Sequence, residues 1–290
     1  MAKKLNTEII SGDSMLVYKG LSIGTAKPSI EERCGIRHHL IDILEPTEDF
    51  NVTQFKELAA AKINEINQVG KIPIVAGGTG LYVKSLLEDY QFNETQGDEE
   101  YRAYLEQLAQ TQGKEYVHAL LEKVNPTAAK RLHVNDFRRV IRALEVYHLG
   151  GEFISQQKNT EENQLAYQAM IIGLNMERSH LYERINQRVD IMIDRGLVQE
   201  VERLLNEGVS PSCQAMKGIG YKEIIAYLQG EVSLDYAIDH IKKATRHFAK
   251  RQLTWFRKMP YIQWYDVDNY EPDELMGEIY KEMAGYFIIK

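Results

Sequence analysis

The stretch Ile72-Pro73-Ile74-Val75-Ala76 runs directly into Gly77-Gly78-Thr79-Gly80-Leu81-Tyr82. A short, β-branched apolar run that ends in glycines and continues into helix-forming residues reads as a strand turning into a helix. An earlier run, Glu8-Ile9-Ile10-Ser11, ends the same way in Gly12-Asp13-Ser14-Met15, and His39 to Leu44 forms a third β-rich stretch. Between the last two, Thr53 to Val69 carries Phe55, Leu58, Ala59, Ile63 and Ile66 at helical spacing, with Thr53 as the expected N-cap and Gly70 as the stop. Strand, helix and strand in this rhythm imply a parallel sheet. Such a sheet gathers the C-terminal ends of its strands at one crevice, so the Asp13 carboxylate and the backbone of the glycine turn are expected there together.

From Asp98 to about Gly150 the pattern changes to short helices, with stops at Gly113 and Pro126, a Gly150-Gly151 break and no strand candidate between them. The expected division is an α/β core over 1–97 and 151–290, interrupted by a helical domain over 98–150. Beyond it, Tyr167 to Leu174 reads as a strand. Helices follow at Ser179 to Asn206, Tyr221 to Leu228 and Ser233 to Lys258, then a strand near Tyr261 to Tyr265 and a helix from Pro272.

No apolar run approaches the ~20 residues of a membrane helix, and Met1 to Leu5 lacks the apolar core of a signal peptide, so a cytoplasmic protein with no membrane partner is expected. Cys34 and Cys213 are the only cysteines; without a CxxC pair or a nearby histidine they read as structural thiols, not as a zinc site or a disulfide. The net charge of -7 argues against indiscriminate nucleic-acid binding, but its distribution is uneven. From Lys242 to Lys258 there are seven Lys or Arg residues and no Asp or Glu.

Several constellations could carry chemistry. Counting from Gly78, Lys84 and Ser85 stand where a phosphate loop has its lysine and hydroxyl, but Val83 occupies the second glycine position. A β-branched residue denies the backbone the shape in which successive amides cradle a phosphate, so this is no Walker loop. What remains is either a turn whose glycines permit close packing, or one whose Thr79 hydroxyl holds an anion or a base edge at a helix N-terminus. Asp13, between Ser11 and Ser14, is either a local cap or a general base at a strand end. Arg184 and Arg188, four apart, share one helical face while Ile185 and Val189 face inward; they form either a solvated face or a clamp on a diphosphate. Arg138, Arg139 and Arg142 make a second basic cluster. In the Lys242 to Lys258 stripe, Lys243, Arg246, Lys250 and Arg257 share a side fit for a phosphate backbone, while Phe248, Trp255 and Phe256 read as core. His38-His39 lacks a third partner, which disfavours a metal role.

Taken in order, Ser11-Gly12-Asp13-Ser14-Met15, Tyr18-Lys19-Gly20, Ile23-Gly24-Thr25-Ala26-Lys27-Pro28, His38-His39-Leu40-Ile41-Asp42, Gly77-Gly78-Thr79-Gly80-Leu81-Tyr82 and Lys250-Arg251-Gln252-Leu253-Thr254-Trp255-Phe256-Arg257 resemble the bacterial tRNA dimethylallyltransferases. The resemblance implies an α/β fold, a P-loop kinase-like parallel sheet flanked by helices, with an inserted all-helical tRNA-binding lobe. It implies transfer of a dimethylallyl group from dimethylallyl diphosphate to the N6 amine of the adenosine 3′-adjacent to the anticodon. Asp13 matches the general base and Thr79 the threonine that contacts the substrate base. The leaving diphosphate is expected at Arg184, Arg188 and Lys84, with Mg²⁺ as cofactor and no metal site built from protein side chains. Positions matching tRNA contacts are Asp13, Ser14, Met15, Leu16, Thr79, Arg102, Arg138, Arg139, Arg142, Lys217, Lys222, Lys250, Arg251 and Arg257. The adenosine lies within the anticodon stem-loop and must swing out to react. The resemblance also leads to the expectation of a monomer.

Members of that family carry a strand, a glycine-rich loop with a lysine and most of a helix before the equivalent of Lys3, roughly 25 residues. Measured against them the chain is expected to turn over weakly or not at all, and a tRNA-binding protein without catalysis is the alternative. Transfer to free adenine nucleotides is disfavoured by the helical lobe and the basic stripe, which are of use only toward a large RNA.

Overall fold

The computed structural model describes residues 1–88, 90, 97–150 and 165–287. By its internal contacts the chain divides into two compact units, Met1–Leu87 with Leu165–Lys290, and Glu88–Gln164.

The first unit opens with a short helix, α1 (Ala2–Leu5), and is built on strands β1 (Ile9–Ser11), β2 (His38–His39) and β3 (Ile74–Ala76), all parallel in the order β2-β1-β3. Ile9 lies beside His38 on one side and Ile74 on the other, so Ser11 pairs with Ala76 and the two strand ends, Gly12 and Gly77, emerge side by side. The strand expected from His39 to Leu44 is only two residues long. Leu40 and Asp42 take left-handed backbone, φ 60° and 56°, which no strand accommodates, and pairing resumes only at an isolated bridge between Tyr18 and Leu44.

The helix α2 (Val52–Gln68) crosses from β2 to β3. Its cap is Asn51, not Thr53: the Asn51 side chain accepts from the Thr53 and Gln54 amides while Gln54 reaches back to the Asn51 amide, a reciprocal capping box. Gly70 follows it at φ 73°, the left-handed turn that ends the helix. The buried face of α2 sets Phe55 flat against Tyr82 of α3 (Gly80–Leu87), with ring centroids 4.4 Å apart and planes 13° from parallel, worth about 0.5–1.5 kcal/mol beyond the area buried.

In the second unit α4 (Glu99–Gln112), α5 (Lys114–Val124), α6 (Pro126–Arg131) and α7 (Phe137–His148) enclose a separate core of Leu105, Val117, Leu121, Val140 and Leu144. Helix α5 ends just before Pro126, as expected, and Pro126 also starts α6, its fixed φ suiting the first helical position. Gly151 lies outside the described residues.

The first unit resumes with β4 (Ile171–Asn175), which pairs in parallel with β5 (Ile262–Asp266). The helix expected from Ser179 to Asn206 is two, α8 (Arg178–Asp194) and α9 (Leu197–Asn206), because Gly196 at φ 95° turns the chain between them. Then come α10 (Tyr221–Leu228), α11 (Leu234–Phe256), capped by Ser233, and α12 (Pro272–Tyr286). No described helix is long and apolar enough to cross a membrane. Phe248, read as core, is 43 % exposed on α11, and Cys34, read as a structural thiol, is exposed.

Candidate active site

The ends of β1 and β3 are joined more closely than a parallel pair requires. The Gly12 amide donates to the Ala76 carbonyl at 2.8 Å, and the Thr79 amide donates to the Gly12 carbonyl at 3.3 Å. A Cβ on Gly77 would stand 2.3 Å from the Gly12 carbonyl carbon, so only glycine fits there. The next two glycines meet α11: a Cβ on Gly78 would lie 2.2 Å from Gln252 Nε2, and one on Gly80 2.3 Å from Trp255 Cδ1. Gln252 Nε2 donates to the Gly78 carbonyl at 2.8 Å, and Lys84 lies over the Trp255 ring at 5.9 Å. The close-packing reading of the glycine turn is thus fulfilled, and its partner is the C-terminal half of the basic stripe.

The same turn brings Asp13, Ser14 and Thr79 together. Thr79 Oγ1 accepts from the Ser14 amide at 3.1 Å and lies 3.4 Å from Ser14 Oγ. Asp13 Oδ1 accepts from the Met15 amide at 2.7 Å and the Leu16 amide at 3.3 Å. One carboxylate oxygen is therefore a local cap, and it fixes the direction of the other, to which no bond is recorded among the described residues. Met15 packs against the Gly218 turn, where a Cβ would fall 2.7 Å from Met15 Cε, and that turn runs between the exposed Lys217 and Lys222.

The segment after this turn is anchored by residues with no assigned role in the sequence reading. Glu200 of α9, 7 % exposed, accepts from the amides of Ser22 at 3.0 Å, Ile23 at 2.8 Å and Gly24 at 3.1 Å, and from the Tyr221 hydroxyl at 2.6 Å. Burial first, then the Glu200 charge, pushes the Tyr221 phenol far above its ordinary range, so it stays a donor. The signal was present: Glu200 shares an apolar helical face with Leu197, Val201 and Leu204, where a carboxylate must find donors. His39 Nε2 meets Glu8 Oε2 at 2.6 Å, a hydrogen bond that holds the Glu8 carboxyl below its usual value, and His38 Nδ1 lies 2.9 Å from the Ile36 carbonyl.

Arg184 and Arg188 stand exposed on α8 with Ile185 and Val189 buried behind them, and no bond joins either to the Asp13 turn among the described residues. Helix α8 lies against α11, where Arg246 Nη1 donates to Asn186 Oδ1 at 2.6 Å and Lys242 pairs with Asp190 at 2.6 Å, committing two stripe cations to the helix contact. Farther along α11, His247, Lys250, Arg251, Thr254, Trp255 and Lys258 line an open concavity of about 520 Å³; Arg257 is also exposed.

In the helical unit, Glu145 is fully buried and takes Arg102 Nε at 2.6 Å, the Asp98 amide at 2.7 Å, and Arg142. Burial alone would raise its pKa, but the two guanidiniums and the amide outweigh it and hold the carboxyl below the ordinary range. Arg138 and Arg139 are exposed, the latter 3.3 Å from Asp136. No three His, Cys, Asp or Glu side chains converge among the described residues.

Residues 16–259 match the family model described as IPP transferase. The tRNA dimethylallyltransferases of Bacillus anthracis and of Bacillus cereus strain 03BB102 are each 49% identical over 290 residues, covering 100% of this chain and 91% and 90% of those proteins. The crystal structure of the full-length tRNA isopentenylpyrophosphate transferase of Bacillus halodurans matches with TM-score 0.73 at 44% identity, over 98% of this chain and 89% of that one. A eukaryotic dimethylallyltransferase acting on tRNA matches with TM-score 0.78 at 28% identity, over 96% and 72%. The impairment expected from the opening residues has no support in the fold or in these likenesses. With the α/β architecture and the ordered motifs in place, the chain belongs to the IPP transferase family, the prenyltransferases that include the tRNA dimethylallyltransferases.

Proposed function

We propose that the protein moves a dimethylallyl group from dimethylallyl diphosphate to the N6 amine of the adenosine 3′-adjacent to the anticodon, with the anticodon stem-loop as the bound part of the tRNA and one chain as the working unit. The observation that carries this reading is that Asp13 and Thr79 follow adjacent strand ends, with the Ser14 amide, next to Asp13, bonded to the Thr79 hydroxyl. An exocyclic adenine amine is a weak nucleophile, because its lone pair is delocalised into the ring, and bonding to carbon requires that it lose a proton. Asp13 takes that proton. Its Oδ1 is already held by two amides, so the carboxylate arrives with its direction fixed. Thr79 supplies a hydroxyl beside it for the base edge, and Ser14, Met15 and Leu16 line the approach.

Carbon–oxygen cleavage leaves charge on the diphosphate, which Arg184, Arg188 and Lys84 offset, and a Mg²⁺ ion carried with the diphosphate would add positive charge there. Lys250, Arg251 and Arg257 on α11, Lys217 and Lys222 beside the Gly218 turn, and Arg138 and Arg139 in the helical unit supply phosphate contacts, whose summed strength falls with salt. Arg102 and Arg142 act chiefly through Glu145.

Incubation with dimethylallyl diphosphate and an anticodon stem-loop, followed by mass spectrometry of the RNA, tests this. The expected product gains one dimethylallyl group at the adenosine next to the anticodon. An RNA carrying inosine at that position, which lacks the amine, should gain none; prenylation of the inosine RNA would contradict the proposal.

A further inference from the structure

We propose that Lys27 is a positioning residue for the Asp13 turn. Resting on the reading of Asp13 above, the inference concerns what holds the turn in place.

The side chain of Lys27 is only 4 % exposed, unusual for a lysine, and burial of an ammonium is unfavourable unless its donors are met. Its Nζ donates to the Tyr18 carbonyl at 2.6 Å and pairs with Asp42, whose other oxygen lies 3.6 Å from Arg33. Asp42 reaches the same segment through its backbone: its amide donates to the Leu16 carbonyl at 3.1 Å, and the Ile43 amide to the Val17 carbonyl at 2.8 Å. Leu16 is thereby bound in both directions, its amide to Asp13 Oδ1 and its carbonyl to Asp42. Lys27 closes the loop by tying the Tyr18 carbonyl to the Asp42 carboxylate. Both residues of the pair thus hold the chain after Asp13, Lys27 by its ammonium on the Tyr18 carbonyl and Asp42 by its amide on the Leu16 carbonyl.

The backbone carries strain on both sides of this brace. Ala26 has φ 50° and Asp42 φ 56°, left-handed values that non-glycine residues rarely take and that persist only where the surroundings impose them. With the ammonium gone, the Tyr18 carbonyl loses its donor, and the turn that aims Asp13 gains freedom at the distance scale on which proton transfer is decided.

The test compares Lys27→Met, Asp42→Asn and Asp13→Asn with the unaltered chain, using dimethylallyl diphosphate and an anticodon stem-loop RNA. Single-turnover rate, RNA affinity and thermal unfolding are read in parallel. Lys27→Met is expected to slow the single-turnover rate about tenfold or more while RNA affinity stays within about twofold. Asp42→Asn keeps its amide bond to Leu16 and is expected to slow the rate by a smaller factor, again without loss of affinity. Unchanged rates in folded Lys27→Met would overturn the proposal, as would rate and affinity falling together in both variants. Should Lys27→Met fail to fold, Asp42→Asn decides alone: a wild-type rate sinks the idea. If Asp13→Asn is inactive while the other two run at full rate, only the positioning role fails; if Asp13→Asn retains its rate, the base assignment itself fails.

Discussion

Glu200 and Glu145, both buried, are satisfied in opposite ways. Glu200, in the larger unit, is met by three backbone amides and a tyrosine hydroxyl, with no cation recorded on it among the described residues. Glu145, in the helical unit, is met by two guanidiniums and a single amide. The first arrangement fixes the path of a chain segment, since amides cannot move without moving the backbone. The second fixes two helices to each other, because Arg102 is on α4 and Glu145 and Arg142 are on α7. It also engages two of the arginines that the motifs mark for RNA. A basic residue read from sequence is therefore an RNA contact only after its internal partners are counted.

This contrast can be broken by substitution. The largest effect is expected for Glu200→Ala, which strands the buried Tyr221 hydroxyl and three part-buried amides and should cost about 3–5 kcal/mol in denaturant unfolding. A loss below about 1 kcal/mol would show that water replaces the carboxylate readily. Glu145→Ala should cost less, about 1–3 kcal/mol, because its arginines are 43 % and 33 % exposed and regain solvent. Hydrogen exchange should place that loss within α4 and α7.

The pH dependence sharpens the same comparison. The Glu145 carboxyl is held below its unfolded value, so the stability it supplies is complete above about pH 4.5 and is lost as pH falls through the folded value. Melting of the helical unit should become less favourable to the fold below that point in the native chain but not in Glu145→Ala. The smallest stability effect is expected for Arg138→Ala, within about 0.5 kcal/mol, with RNA affinity reduced and the slope of log affinity against log salt smaller by about one. Arg102→Ala should show the reverse balance, losing stability more than affinity.

The strand end and its glycine turn were legible because period and punctuation agree there: the β-branched run gives β3 and the glycines carry it into α3, although Ile74 and Val75 are only half-buried and Ala76 is exposed. Asn51 was overlooked as a cap because Thr53 competes for that role, and the reciprocal Gln54 bond decides it. The break between α8 and α9 hid in Gly196, a single glycine in an otherwise helical pattern. Glu200 and Glu145 sit at apolar positions of amphipathic helices, a mismatch that announces a buried carboxylate without saying what satisfies it. Lys27 and Asp42 stood within recognised motifs, but their joint hold on Leu16 and Tyr18 depends on left-handed backbone that sequence does not display.

The central claim, that Asp13 removes the proton of an adenine amine beside Thr79, is tested most directly by single-turnover prenyl transfer to an anticodon stem-loop in Asp13→Asn, with RNA affinity measured alongside. The substitution keeps the shape and an oxygen able to accept from the Met15 and Leu16 amides. The account predicts a rate lower by about a hundredfold or more at unchanged affinity. A rate within about threefold of the native chain would contradict it.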